Sequence, residues 1–346
     1  MTTLASTAPS AALLRRSAFR RTLILLLFLV ALIVLGGLSL VAGIADVSLD
    51  NLRTALSGQS ETVADATVEK RILRTLLGAL VGAALALSGT AMQAVTRNPI
   101  ADPGILGVTG GAALAVVTGI AFFGLSSQLG YIAFATIGAS LAAIFVYSIS
   151  SLGRTGPTPI KLALAGAASS AAFVSLSTAI LLPRTDLMRN FEFWRVGGVG
   201  GATWHGLAIG APVILIGVVM LFTLVRGMNA LALGDELAVG LGEHVGRTRL
   251  GIAAGAVILA AAATALAGPI GFVGLVVPHL CRMISGPDHR WLLPFAAVSG
   301  ANLLVLADII GRVIAQPQEI EVGIVTAIIG APFFIWIVRR QKVRGL

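Results

Sequence analysis

The chain carries three lysines, Lys70, Lys161 and Lys342, and each bears on whether it can hydrolyse nucleotide. A phosphate-cradling P-loop ends in Gly-Lys-Ser/Thr, its lysine reaching the β- and γ-phosphates. Here the lysines follow Glu69, Ile160 and Gln341, so none completes that motif. Metal chemistry has equally little support. Cys281 is the single cysteine, and His279 two residues before it forms only a weak ligand pattern on an apolar helix end, for which a structural role is expected. His205, His244 and His289 stand isolated at span ends or in loops, and no Ser/His/Asp, paired-carboxylate or zinc-protease pattern occurs. Ion-coupled transport places ionisable groups deep inside apolar segments. Asp308 is the nearest such group, with Arg312 one turn later placed to pair with it. No catalytic residue and no metal ligand is assigned.

The segments that carry these residues are membrane segments. Apolar residues make up 57% of the chain and charged ones 11%, with a mean hydropathy of +0.96, far outside the range of soluble domains. A helical span needs about 20 apolar residues. Windows of that size give about ten candidates, near 22–42, 72–93, 104–124, 129–151, 160–182, 205–226, 250–267, 270–285, 291–311 and 322–338. The first follows Arg15, Arg16, Arg20 and Arg21, and its apolar run exceeds the roughly 7–15 residues of a cleaved signal peptide, so a retained anchor is expected. The expected organisation is a basic tail over 1–21, one transmembrane domain over 22–338 and a basic tail over 339–346.

With ten spans and the N-terminus inside, 16 basic residues fall on the internal side and 8 on the external side, the bias of the positive-inside rule. Both termini are then cytoplasmic. The net charge of +9 is spread over many loops instead of forming one stripe, which argues against nucleic-acid binding. The longest internal connection, about 227–248, reads GMNALALGDELAVGLGEHVGRT and suits short amphipathic helices outside the membrane.

Forty-one glycines, many inside the spans, let helix backbones approach closely; Gly78 and Gly82 form a small-residue face that Ala86 and Thr90 extend. Asn98-Pro99-Ile100 follows the second span and Gly268-Pro269-Ile270 the seventh, five spans later and hence on the opposite face. Inverted repeats in transporters have that arrangement.

Four stretches carry a resemblance: Arg71 to Gly111, LALGDELAVGLG (231–242), GPIGFVGLVVPHL (268–280) and ADIIGRVIAQPQEIEVGIVTAIIGAPFFIW (307–336). In that order they resemble the FecCD family, permease subunits of bacterial ABC importers for iron-siderophore complexes, haem and cobalamin. DHRWLLP (288–294) and ADIIGRVI (307–314) look most like permeases for ferric enterobactin-type siderophores. The resemblance implies an all-α polytopic fold of the type II importer class, like the cobalamin permease, in the bacterial inner membrane. It also implies two partner ATPase subunits that bind ATP and Mg, an extracytoplasmic binding protein, and a second copy or a similar permease; no cofactor is expected on this chain. Haem or cobalamin import, an ion-coupled carrier and a receptor without transport are the alternatives.

Residue by residue, the resemblance assigns ATPase coupling to Leu233, Gly234, Asp235, Glu236, Ala238, Leu241 and Gly242, where an ordinary capped loop is the alternative. Arg71, Arg74 and Arg312 match arginines that pair with glutamates of a binding protein, and would otherwise be interfacial anchors. Leu73 stands where the family commonly has proline. The matching inner gate is Asn98 and Ile100 with Thr158 and Pro159, in a pathway lined largely by the fifth and tenth spans. The stretch 184–198 resembles the family's external helix, and its Phe191, Phe193 and Trp194 would serve equally as interfacial aromatics.

Overall fold

A 34-residue helix, Val63–Thr96, organises the molecule. Its start is fixed by a reciprocal cap: the Asp65 amide donates to Thr62 Oγ1 at 3.2 Å and the Thr62 amide to Asp65 Oδ2 at 3.0 Å. It ends where Arg97 turns left-handed, at φ 52°. Between these points runs the small-residue face expected from the sequence, and it is what the neighbouring helices close upon. A methyl group on Gly82 would meet the Gly300 carbonyl, and one on Gly89 the Gly274 carbonyl, so backbones touch there with no room for a side chain.

The computed structural model describes residues 11–43, 54, 62–99, 101–152, 159–184, 191 and 195–342. Among them lie twelve α-helices: α1 (Ala11–Val41), α2 (Val63–Thr96), α3 (Val108–Phe123), α4 (Gln128–Ser150), α5 (Pro159–Leu181), α6 (Trp204–Thr223), α7 (Val225–Ala232), α8 (Asp235–Gly240), α9 (Val245–Ala267), α10 (Val273–Ser285), α11 (His289–Ile314) and α12 (Val322–Lys342). Seven are long and apolar enough to cross a membrane, and α3, α10 and Val322–Ile335 of α12 are shorter apolar helices. These ten coincide with the ten windows read from the sequence; α7 and α8 are the short helices of the 227–248 connection. The helical bounds differ at the tails, since α1 starts at Ala11 within the tail assigned to 1–21 and α12 runs to Lys342.

Contacts at helix ends fix the directions. The start of α2 meets the end of α11 through Arg74 and Asp308, while its end meets the start of α9 through Asp235, which binds both Arg97 and Arg249. The bundle thus has an Asp308 face and an Asp235 face. α9 and α11 both pack on α2, in a core that includes Leu87, Leu259 and Phe295. α1 is mostly exposed, packing on α11 through the edge-to-face pair of Phe28 and Phe295. A long helix, a turn and a short helix occur twice, as α2 to α3 and as α9 to α10. In the first turn Asp102 caps a 3-10 turn, Pro103–Leu106; the second runs through Gly268 and Phe272, both at positive φ.

Candidate functional site

At the Asp235 face, α7 and α8 form an elbow between α6 and α9. Gly234, at φ 116°, makes the turn that a side chain would resist, and Gly242, at φ 84°, makes the exit. Asp235 and Glu236 occupy the first turn of α8, where the helix dipole favours negative charge. Asp235 also reaches outside its helix: its carboxylate pairs with Arg97 at the end of α2 and lies 3.0 Å from Arg249 Nη2 on α9. Arg97 Nε donates to the Leu231 carbonyl at 2.8 Å. The elbow is therefore tied to two spans. Ala238 is buried and seats α8, while Leu233, Leu237, Val239 and Leu241 stand 59–65% exposed on the outer side.

At the Asp308 face three arginines converge. Arg74 donates to Asp308 at 2.8 Å and to Glu319 at 2.6 Å. Arg312 lies 2.9 Å from Asp308 Oδ2, the pairing expected one turn apart, and donates to the Ser39 and Ala42 carbonyls. Arg71 donates to the Leu40 and Val41 carbonyls at 2.9 and 3.1 Å. Arg71 and Arg312 thus satisfy carbonyls that the end of α1 leaves without helical partners. The arginines are 2–8% exposed, yet all three border a cavity of about 410 Å³ with Lys70 and Glu319. Among the described residues four cations, Lys70, Arg71, Arg74 and Arg312, face the carboxylates of Glu319 and Asp308, a positive balance.

The model of a single transport family matches nearly the whole chain, over residues 29–340. The chain belongs to the FecCD transport family. The FhuB iron(3+)-hydroxamate import permease of Bacillus subtilis (strain 168) is 42% identical over 311 residues, 89% of this chain and 80% of that protein. The FepD ferric enterobactin permease of Escherichia coli (strain K12) is 41% identical over 319 residues, 92% and 95% of the two chains. A solved ABC transporter of the metal-chelate type in an inward-facing conformation superposes with a TM-score of 0.79 at 29% identity, covering 92% of this chain and 99% of the other. FecCD proteins are transport permeases, not enzymes.

In this FecCD permease the residues singled out by sequence gather at two places. Leu233 to Gly242 form the elbow, and Arg71, Arg74 and Arg312 form the basic cavity. Leu237, Val239, Arg97 and Arg249 escaped the sequence reading; the first two show only as two more apolar residues of an amphipathic connection, the arginines only as loop charges. Of the gate residues, Asn98 sits in the turn after Arg97 with its carbonyl accepting from the Ala101 amide, and Pro159 opens α5. Ile100 and Thr158 lie outside the described residues, as do Phe193 and Trp194; Phe191 is buried against Val117 and Leu181. Cys281 donates to Ser299 Oγ, and the rings of His279 and Phe333 meet edge to face.

Glu321, in the turn before α12, is held above the usual carboxylate range by burial, with Glu319 and Asp308 adding repulsion and Arg74 opposing. Because the folded state resists ionisation, this residue's contribution to stability is best at low pH and falls as pH rises from about 4.3 through the raised folded value. Glu321→Gln is expected to flatten that part of the pH dependence of thermal unfolding. An identical slope in wild type and variant between about pH 4 and about pH 7 would refute this assignment.

Proposed function

We propose that this chain is the membrane-spanning subunit of an ATP-driven importer that carries iron-siderophore complexes into the cytoplasm by alternating access. The observation that carries the reading is the elbow: an apolar surface of Leu233, Leu237, Val239 and Leu241 projecting from a segment ion-paired to two spans. Such a surface is an anchor for a partner, and its ties give the partner a grip on α2 and α9. Two ATPase subunits, holding ATP and Mg, would bind there, which makes the Asp235 face cytoplasmic along with both termini, in the bacterial inner membrane. The Asp308 face is then extracytoplasmic, and its basic cavity suits an acidic side chain of a binding protein. Asn98, Ile100, Thr158 and Pro159 would form the inner gate, and a second copy or a similar permease would complete the pathway. FhuB and FepD, named for iron(3+)-hydroxamate import and ferric enterobactin transport, support the cargo.

Radiolabelled iron presented on a panel of siderophores, in cells with membrane expression verified, tests the reading. Leu237→Asp/Val239→Asp is expected to cut uptake at least about tenfold, since buried interface anchors commonly contribute about 2 kcal/mol each. Normal uptake by this variant would remove the elbow as the ATPase seat. Failure of the wild type to take up any iron chelate, with uptake of haem or cobalamin instead, would replace the cargo and keep the machine.

A further inference from the structure

A second cavity, of about 390 Å³, lies on the Asp235 side of the bundle between the ends of α2 and α4 and the start of α9. Its walls are apolar, formed by Met92 and Val95, Ile144, and Ala253 and Val257, and Ile144 is 63% exposed on the outer surface, so the cavity opens sideways where bilayer would stand. Among the described residues Leu162 is its single contribution from the fifth span and α12 contributes none, which separates it from a pathway lined by the fifth and tenth spans. One cation, Arg249, stands at its rim beside Tyr147 and Ser148. Arg249 Nη2 is spent on Asp235, whereas its Nε is buried with no hydrogen-bond partner, an arrangement that costs free energy.

We propose that this cavity is a binding site for an anionic phospholipid, with one acyl chain between α2, α4 and α9 and the phosphate at the exposed edge of the Arg249 guanidinium. An apolar cavity of this size does not hold ordered water and is filled by hydrocarbon more readily. A basic side chain at the mouth of an interhelical pocket on the cytoplasmic side selects for an anionic headgroup. A ferric chelate, polar and bulky, does not match these walls. Because the same guanidinium holds Asp235 of the elbow, an occupying phosphate would bear on the segment assigned to ATPase coupling, and lipid composition becomes an input to transport.

Native mass spectrometry of the purified full-length permease, with phosphatidylglycerol or phosphatidylcholine of identical chains added, tests the site. Wild type is expected to retain one phosphatidylglycerol per protomer about fivefold more strongly than phosphatidylcholine, the ratio that about 1 kcal/mol per basic side chain produces. Arg249→Gln should level the two headgroups while leaving acyl-chain retention, and Ala253→Trp, filling the cavity, should lose both. Ser140→Leu is a milder filling substitution and should weaken both should the tryptophan variant not fold. Equal retention of the two lipids by wild type overturns the proposal, as does a phosphatidylglycerol preference that survives the rim and filling substitutions. Exclusion of all lipid, with Ala253→Trp shifting the protein from dimer to monomer mass, would instead make the cavity part of the interface between copies.

Discussion

Replacing Asp308 with alanine is expected to destabilise the protein by about 3–5 kcal/mol, the largest effect of any single substitution on the Asp308 face. Asp308 is 2% exposed and is the carboxylate on which Arg74 and Arg312 both converge from different helices. Removing it leaves two guanidinium groups buried side by side with no anion between them, and Glu319 can compensate Arg74 alone. Thermal unfolding in detergent should show the loss, and a shift equivalent to less than about 1 kcal/mol would show that the triad is hydrated and weak. Asp308→Leu/Arg74→Met/Arg312→Met should recover part of the stability, because a buried ion network replaced by apolar side chains of similar volume is commonly neutral or better, while the Ser39 and Ala42 carbonyls lose their Arg312 donor. The same triple variant should fail to bind the binding protein. Together these results would mean that the arginines persist for docking and Asp308 persists to make them tolerable.

The fold was legible because a bilayer imposes a length and an apolarity on every span, and those survive in the sequence whatever the packing. The ten windows and the small-residue face of α2 are of this kind. Helix ends were less legible. Arg97 was visible as a loop charge, but its reach to the Leu231 carbonyl and Asp235 depends on how two distant connections are brought together. Asp308 and Arg312 were legible as a pair because they share a helix; Arg74 and Glu319 were not, because the partners are separated by more than two hundred residues and meet only through antiparallel packing of α2 and α11. The arginines matched as docking residues are likewise buried against the end of α1, a contact that no pattern within α2 or α11 announces.

Charge reversal at the elbow, Asp235→Arg, is expected to reduce uptake of labelled iron by roughly 5- to 150-fold, the range that a coupling free energy of about 1–3 kcal/mol spans, while hardly moving the unfolding temperature. The second half of that statement follows from exposure: Asp235, Arg97 and Arg249 have side chains 49%, 37% and 30% exposed, and ion pairs in such surroundings contribute about 0–1 kcal/mol to stability. Any large loss of transport must then come from position. Reversal puts a third arginine beside two others, pushing α8 away from the ends of α2 and α9, so that movement of the ATPases no longer reaches the turn at Asn98. The complex should still assemble through its apolar surface and hydrolyse ATP, giving hydrolysis without uptake. Restoring opposite charges with Arg97→Asp/Asp235→Arg should recover uptake in part, since Arg249 keeps a carboxylate nearby but the bond from Arg97 Nε to the Leu231 carbonyl is lost. Unaltered uptake by the single variant would dismiss the ties as surface decoration. Loss of both uptake and hydrolysis would place Asp235 in the ATPase contact itself, and only the split between the two activities identifies the ion pairs as the link from elbow to gate.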